Sequence, residues 1–295
     1  MSGMVGVAIS TTGDEHRLGF LETTVRAWRG LLPLGSFIAV TVDGDEAALA
    51  RAQGVVDRED PSGRAGGYVV RVGQPNGSHH EVRAGRLGVA VNKNTGIEAL
   101  MDAGCTHLFL CDDDARPKDK RAITLHTDFT LPHSMVCWGK HRLDGLALTG
   151  LDRYARWSWP RGVMLYARSY VIDRVGGMDE NFGPGGHEHV EWSQRIHNAG
   201  CTPAAFASPV AYAADSGLRQ LWDCEDMRKP QEQGPQWQER KARNTTVRRE
   251  PGDWTKIDAL MLAREGSSDF VPYRAHENGR LSATLSPNLS RGAGE

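Results

Sequence analysis

Three consecutive aspartates, Asp112, Asp113 and Asp114, follow the apolar run from His107 to Cys111. A short apolar run that ends in charge is typical of a buried parallel strand whose C-terminal end opens to solvent, where α/β sheets bind their ligands. Like charges this close repel one another, so the cluster should be solvated, protonated or bound to a cation. Magnesium and manganese prefer oxygen ligands, which makes a divalent metal site the functional interpretation of this triplet. An acidic turn at the end of a strand is the alternative.

The composition indicates an ordinary globular protein. The chain has 295 residues, of which 39% are hydrophobic, and a formal net charge of −2. It is long enough for one large or two small domains, and its charge excludes the global positive field of a non-specific nucleic-acid binder. The five cysteines are widely spread and lack CxxC spacing, so reduced thiols in the cytoplasm are expected rather than disulfides or a zinc site. The N-terminus lacks a signal-like apolar stretch, and no run approaches the ~18 apolar residues of a membrane span.

In the first half of the chain, apolar strand-like runs alternate with segments of helical periodicity. Strands are predicted at 5–9, 36–42, 68–72 and 107–112, and helices at 18–31 and 87–103, with an alanine-rich helix after the second strand. Such alternation predicts an α/β fold in which the strands pair in parallel and the loops after them converge on one rim of the sheet. Asp43 and Asp45, which follow the second strand, should therefore lie on the same rim as the acid triplet.

The later part of the chain has a different character. Residues 117–216 mix short strand-like runs with a helix near 190–198, and after Gly217 the composition shifts towards Gln, Arg, Lys and Glu. The last ~20 residues have the composition of a loose tail. Three regions are therefore expected, namely 1–118, 119–216 and a polar extension over 217–295.

The order of six short motifs resembles that of the GT-A-fold glycosyltransferases, especially family 2 and its relatives that use nucleotide-diphosphate sugars. The motifs are, in order, Ile9-Ser-Thr-Thr12, Thr41-Val-Asp43-Gly-Asp45, Lys93-Asn94-Thr95-Gly96-Ile97, Asp112-Asp113-Asp114, Val175-Gly-Gly-Met-Asp179-Glu180 and Gly185-Gly-His-Glu188-His189-Val-Glu191-Trp-Ser-Gln-Arg195. Each motif alone is weak, and the six in this order are together specific. The resemblance implies a GT-A (Rossmann-like) mixed sheet flanked by helices. Its 1–118 half would bind the nucleotide sugar, and its 119–216 half would bind the acceptor and carry catalysis.

The resemblance also implies a metal-dependent enzyme that moves a sugar from a nucleotide-diphosphate donor, expected to be UDP-linked, to an acceptor hydroxyl with inversion. Negative charge develops on the departing diphosphate, and Mn2+ or Mg2+ would stabilise that charge as a Lewis acid. Because side chains alternate along an extended strand end, Asp112 and Asp114 should share a face while Asp113 faces elsewhere. Asp114 is implied as the direct metal ligand, Asp112 as the partner of the ribose or of a metal-bound water, and Asp215 as a candidate third metal ligand.

Further residues are implied on the donor side of the site. Asp43 would hydrogen-bond the base or the ribose, and Lys93 would lie near the base or the diphosphate. The donor-binding set is completed by Thr11, Asn94, Asp112 and Asp113. For Asp43 the alternative is an ordinary turn aspartate before a glycine.

Glu188 and His189 are the candidates for the catalytic base. When the motifs are aligned on Arg195, Glu188 falls on the family's glutamate and His189 on the aspartate that deprotonates the acceptor in inverting members. Histidine departs from the family pattern, and an imidazole with an ordinary pKa of about 6.5 is able to accept a proton at neutral pH. The alternative is that these are polar residues in the first turn of a helix, where Glu188 and Glu191 are favoured by the helix dipole. Arg195 is expected to pair with Glu191 or Glu188.

The sequence does not identify the acceptor, and a glycan, a protein, a small molecule and DNA with a hydroxylated base all stay open. Trp157 and Trp159 are candidates for a sugar-stacking platform, with core packing as the alternative. Tryptophans and basic residues interleave in the extension after Gly217, which suggests an acceptor cover or a solvated charged face. Two other functions remain open, namely a nucleotidyltransferase that makes a nucleotide sugar and a non-catalytic carbohydrate-binding protein.

Overall fold

The computed structural model describes residues 3–60, 68–71, 88–128, 131–136, 148–158, 160–179, 188–213 and 219–224. A six-stranded mixed sheet forms its centre, built from β1 (Val5–Thr11), β2 (Phe37–Val42), β3 (Tyr68–Arg71), β4 (His107–Asp112), β6 (His133–Met135) and β9 (Met164–Arg168). The strand order is β3-β2-β1-β4-β9-β6. The first four strands in the chain are parallel, whereas β9 is antiparallel to both of its neighbours.

Helices cover both faces of the sheet, which confirms the predicted α/β class. They are α1 (Glu15–Leu31), α2 (Glu46–Glu59), α3 (Val89–Asp102), α4 (Arg121–Thr127), α5 (Ser169–Val175) and α6 (Glu188–Asn198). Two small antiparallel sheets complete the described part, one of β7 (Leu148–Leu151), β8 (Ala155–Trp157) and β10 (Ala207–Ser208), the other of β5 (Arg116–Pro117) and β11 (Trp222–Asp223). No helix in these ranges is long and apolar enough to cross a membrane.

Alternation along the strands separates two apolar clusters on the two faces of the sheet. One cluster joins Val7 and Ile9 of β1 to helices α1 and α2, and the other joins Ala8 of β1 to α3, α5 and α6. Helix α1 contributes a stripe at helical spacing, Leu21, Val25 and Trp28. On β4, odd-numbered residues face α1 and even-numbered residues face α3. The strand thereby sends consecutive residues to opposite faces just before the acid triplet.

Gly96 brings α3 into close contact with the sheet. A Cβ atom at this position would lie 2.5 Å from the Cβ of Ala8, so no larger residue fits without displacing the helix. The glycine of the Lys93-Asn-Thr-Gly96 motif therefore has a packing role, which sets how near the first turns of α3 come to the strand ends.

The beginning of the polar extension packs on the first half of the domain. Trp222 of β11 is 2% exposed and lies edge-on to Trp28, with 5.8 Å between the ring centroids. Strand β11 pairs with β5, directly after the acid triplet in the chain. Residues 225–295 lie outside the described residues, so the acceptor-cover hypothesis for the extension stays a prediction.

Buried histidines hold the second half of the sheet together. His126 contacts the hydroxyls of Ser134 and Tyr212 at 2.8 and 3.2 Å, and His133 contacts the Tyr166 carbonyl and the Ser193 hydroxyl at 2.8 and 2.9 Å. Burial lowers the pKa of His126 to about 3 and that of His133 to about 4. Both imidazoles are therefore neutral in the folded protein at pH 7.

Acidification is expected to destabilise the fold through these two histidines. The unfolded chain binds their protons below about pH 6.5, whereas the folded chain does not until about pH 4, so stability falls across that window by about 1.4 kcal/mol per pH unit for each histidine. Urea unfolding at pH 7.5, 6.0 and 5.0 measures the slope. His133→Gln should make this slope shallower. Equal free energies of unfolding at pH 7.5 and 5.0 would contradict this account.

Candidate active site

Asp113, the central residue of the acid triplet, is held by α1. Its carboxylate accepts two hydrogen bonds from the Arg17 guanidinium, one of them at 3.1 Å, and a third at 2.6 Å from the Thr11 hydroxyl. The Thr24 hydroxyl donates to the backbone carbonyl of Asp113 at 2.7 Å. Burial raises the pKa of the Asp113 carboxyl, and the hydrogen bonds and charge of Arg17 oppose that shift. These contacts give Asp113 a supporting role, because both carboxylate oxygens already accept hydrogen bonds from the protein.

Asp112 is held from the opposite face of the sheet. The ammonium of Lys93, on α3, lies 2.8 Å from Asp112 Oδ1, and only 1% of the Lys93 side chain is exposed against 37% of that of Asp112. Strand alternation explains why Asp112 meets α3 and Asp113 meets α1. The predicted shared face of Asp112 and Asp114 is not observed, since Asp114 Oδ2 lies 3.7 Å from Arg17 on the α1 side. The extended strand ends at Asp112, so alternation does not hold as far as Asp114.

The carboxylates of Asp112 and Asp114 are the candidate ligands of the triplet for a divalent cation. Hard cations such as Mg2+ take oxygen ligands and are commonly bound by one or two carboxylates together with substrate phosphates. The donor chemistry therefore fits Mn2+ or Mg2+. Within the described ranges, no group of three or more His, Cys, Asp and Glu side chains is arranged to hold a metal. Phosphate oxygens or residues outside those ranges, where Asp215 lies, would complete the coordination.

The ends of β1 and β2 and the start of α3 meet beside this triplet. The Thr11 carbonyl accepts the Asp43 amide at 2.9 Å and the Asn92 Nδ2 group at 3.2 Å. The Asp43 carboxylate accepts the Gly88 amide at 2.9 Å. Asp45, expected on the same rim, caps α2 by accepting the Ala48 amide at 2.8 Å.

Asn94 and Arg195 fix the segment that precedes the candidate base. Asn94 exchanges two hydrogen bonds with the backbone of Met178, at 2.8 and 2.9 Å, so it ties α3 to the Val175–Asp179 motif. Arg195 donates to the carbonyls of Val175 and Gly177 and makes a two-point ion pair with Glu191. The predicted pairing of Arg195 is therefore with Glu191.

Glu188 and His189 form a pair at the start of α6. The imidazole Nδ1 lies 3.0 Å from Glu188 Oε1, Glu188 is 4% exposed, and 18% of the His189 side chain reaches solvent. A carboxylate beside Nδ1 favours the tautomer with the proton on Nδ1, which leaves Nε2 as the acceptor.

One short segment connects this pair to the strand that carries Asp112. The Asp112 amide donates to the Val163 carbonyl at 2.9 Å, and a Cβ on the preceding Gly162 would lie 3.0 Å from His189 Nδ1. Residues 162–163 thus contact both the strand that carries Asp112 and the imidazole of His189.

Trp157 does not form a sugar platform in the described part of the chain. It is 3% exposed, belongs to the apolar cluster on the α3 face, and its indole donates to the Ser208 hydroxyl at 2.8 Å. Asp215, Trp159 and His187 lie outside the described residues.

Sequence reasoning missed two polar residues of this site, Arg17 and Asn92. Arg17 follows the loop after β1 by one helical turn, and this position is the signal that could have placed it beside a β4 carboxylate. Asn92 directly precedes Lys93, a predicted donor-binding residue, in the same helix, and this position is the signal that could have identified it.

Comparison with known proteins gives similarity in structure only. No family model matches the sequence, and no protein of curated function matches it. The mannosyltransferase PcManGT from Pyrobaculum calidifontis, solved with GDP-Man and Mn2+, is 13% identical with a TM-score of 0.48 over 92% of this chain and 77% of its own. The mannose-1-phosphate geranyltransferase from Thermus thermophilus is 11% identical with a TM-score of 0.40, over 75% and 68% of the two chains.

The galactosyltransferase LgtC, solved with donor and acceptor sugar analogues, is 13% identical with a TM-score of 0.41, over 85% of this chain and 99% of its own. The solved structures that this chain resembles thus include glycosyltransferases. Fold similarity of this degree leaves the activity to be argued from the site residues.

Proposed function

We propose that this chain is a metal-dependent glycosyltransferase that moves a sugar, with inversion, from a UDP-linked donor to an acceptor hydroxyl. The proposal rests on two kinds of side chain in this region, namely candidate metal ligands at the end of β4 and a candidate base at the start of α6. Asp112 lies beside the Lys93 ammonium, and Asp114 lies 3.7 Å from Arg17. Residues 162–163 contact both Asp112 and His189, which is paired with Glu188. Glycosyl transfer from a diphosphate needs a cationic environment for the leaving group and a base for the acceptor.

Asp112 and Asp114 would hold the metal, with Asp215 as a further candidate ligand. When bound, Mn2+ or Mg2+ supplies Lewis-acid stabilisation of the charge that develops on the diphosphate. Lys93, buried on α3, adds a fixed positive charge at the same end of the site. Asp43 and Thr11 would border the nucleoside, and Asn94 would support the site through its bonds to Met178.

His189 would act as the base, and Glu188 would hold its imidazole through Nδ1. In the transfer step, a bond forms between the acceptor oxygen and the anomeric carbon while the bond from that carbon to the diphosphate oxygen breaks. The hydroxyl proton passes to Nε2, and the diphosphate leaves with the electron pair of the broken bond. The carboxylate of Glu188 stabilises the imidazolium that forms.

A nucleotidyltransferase is disfavoured by the loop after β1. That loop is short and closed on itself, since the Thr12 hydroxyl donates to the Asp14 carboxylate at 2.8 Å and the Gly13 amide donates to the Thr11 hydroxyl at 3.1 Å. Two arginines lie near this loop and both have partners within the chain, since Arg17 is bound to Asp113 and Arg51 donates to the Gly13 carbonyl at 3.0 Å. A triphosphate-binding loop would instead present basic side chains and amide groups to the ligand.

A screen of nucleotide sugars tests the proposal. With Mn2+ we expect slow hydrolysis of at least one donor in the absence of acceptor, with release of the nucleoside diphosphate, and none in EDTA. Mass spectrometry after incubation with glycans, proteins and hydroxymethylated DNA then identifies the acceptor class.

Equal binding of UDP in Mn2+ and in EDTA by calorimetry would refute the metal requirement. Release of pyrophosphate from a nucleoside triphosphate and a sugar phosphate would identify a nucleotidyltransferase.

A further inference from the structure

Asn92 carries a buried hydrogen-bond acceptor that the folded chain does not use. The residue is 4% exposed and lies in the first turn of α3. Its Nδ2 group donates to the Thr11 carbonyl at 3.2 Å, which fixes the orientation of the amide. Asn92 Oδ1 has no hydrogen-bond partner, one of few such side-chain atoms in the part of the chain that the structure describes. Buried polar atoms are nearly always satisfied, so an unused acceptor needs an explanation.

The position of Asn92 places this acceptor at one end of the donor site. Lys93, the next residue of α3, reaches Asp112 at the end of β4, whereas Asn92 reaches Thr11 at the end of β1. The Thr11 carbonyl also accepts the amide of Asp43, which follows β2. Strand β1 lies between β4 and β2, so a donor with its diphosphate at Asp112 would extend across β1 towards Asn92 and Asp43. The nucleoside end of the donor would lie there.

The chemistry of Oδ1 limits what would satisfy it. An amide oxygen accepts only, so its ligand must present an N–H or O–H group. Uracil and guanine carry a ring N–H on the edge used for base pairing, whereas cytosine and adenine carry a ring nitrogen lone pair at the corresponding position. A lone pair facing Oδ1 would repel it and leave both acceptors buried without a donor, a cost of about 10- to 100-fold in affinity.

We propose that Asn92 Oδ1 accepts a hydrogen bond from the ring N–H of the donor base, and thereby selects uracil or guanine nucleotides over cytosine and adenine nucleotides. This inference rests on the proposed function, because it requires that a nucleoside diphosphate binds at this rim. It adds a residue that determines base specificity and that acts separately from the metal-binding aspartates. The bond to the Thr11 carbonyl keeps Oδ1 turned towards the ligand, because a half turn of the amide would place Oδ1 against the Thr11 carbonyl oxygen.

The test is calorimetric titration of the full chain with UDP, GDP, CDP, ADP and N3-methyl-UDP, all in Mn2+. N3-methyl-UDP keeps the charge and sugar of UDP and lacks only the ring N–H. We expect UDP or GDP to bind at least about tenfold more tightly than CDP and ADP, and UDP at least about tenfold more tightly than its methyl analogue. Asn92→Leu, checked for folding by circular dichroism, should bind UDP and CDP with affinities that differ by less than about twofold.

The outcomes separate the proposed function from the role of Asn92. If no nucleoside diphosphate binds with Mn2+, the proposed function fails and the inference falls with it. If UDP, CDP and N3-methyl-UDP bind equally to the wild-type chain, the proposed function stands and the role of Asn92 is refuted. That role is also refuted if Asn92→Leu folds and keeps the wild-type ratio. The ligand comparison needs no variant, so it is able to refute the role of Asn92 even if Asn92→Leu does not fold.

Discussion

Asp114→Asn is expected to lower glycosyl transfer by at least about 10³-fold, because it removes a negatively charged ligand from the cation that stabilises the diphosphate. Binding of Mn2+, followed by its electron paramagnetic resonance signal without donor, should weaken in the same variant. Asn has nearly the same shape as Asp, and Asp114 is 7% exposed, so packing is conserved and the loss reports the charge.

Asp119→Asn is the matched control for this prediction. Asp119 is an exposed aspartate five residues further along the chain, and its carboxylate accepts the Arg121 amide at 2.7 Å. It carries the same change of charge with no place in the site, so transfer and Mn2+ binding should remain at wild-type levels. Transfer by Asp114→Asn at a wild-type rate, or Mn2+ bound equally by both variants, would remove Asp114 from the metal site.

Periodicity alone predicted most of the first half of the fold. The predicted strand 107–112 and the helix 18–31 correspond to β4 and to most of α1, because apolar residues at the right spacing leave few other ways to bury them. The helix predicted near 190–198 is α6, which begins at Glu188. The pattern could not give the antiparallel position of β9 between β4 and β6, since strand order depends on pairing between segments far apart in the chain.

The sequence predicted that Asp112 and Asp113 face different sides, and it did not predict the contacts that hold them. Alternation along β4 correctly separated Asp112 from Asp113, but it could not name Arg17 as the partner of Asp113, because that contact joins residues 96 positions apart. Aromatic composition pointed to Trp157 as a sugar platform, and the structure places it in the core instead. A tryptophan beside polar residues in sequence gives no information about which face of its strand is covered, and only the tertiary packing decides that.

His189→Gln is expected to lower transfer by about 10²–10⁴-fold, because it removes the group that takes the acceptor proton. Donor binding should change by less than about twofold, since Nε2 acts on the acceptor and not on the nucleotide. Glu188→Gln keeps a hydrogen-bonding group beside Nδ1 and removes its negative charge, so it should also reduce the rate. If the two residues act as a unit, the double variant should be little slower than the slower single variant.

His197→Gln provides the control on the same helix, because its Nδ1 lies 2.7 Å from the Thr202 carbonyl, a contact within its own helix–loop junction. Its transfer rate should match that of the wild-type chain.

A large loss in Glu188→Gln with wild-type transfer in His189→Gln would assign the base to Glu188. Glu188 is 4% exposed, so the site would then have to rearrange for the acceptor to reach its carboxylate. Wild-type transfer in both single variants would show that neither residue is the base. The acceptor would then have to be activated from outside the Glu188–His189 pair, and the observed contact of 3.0 Å between them would serve to anchor the start of α6 against Gly162.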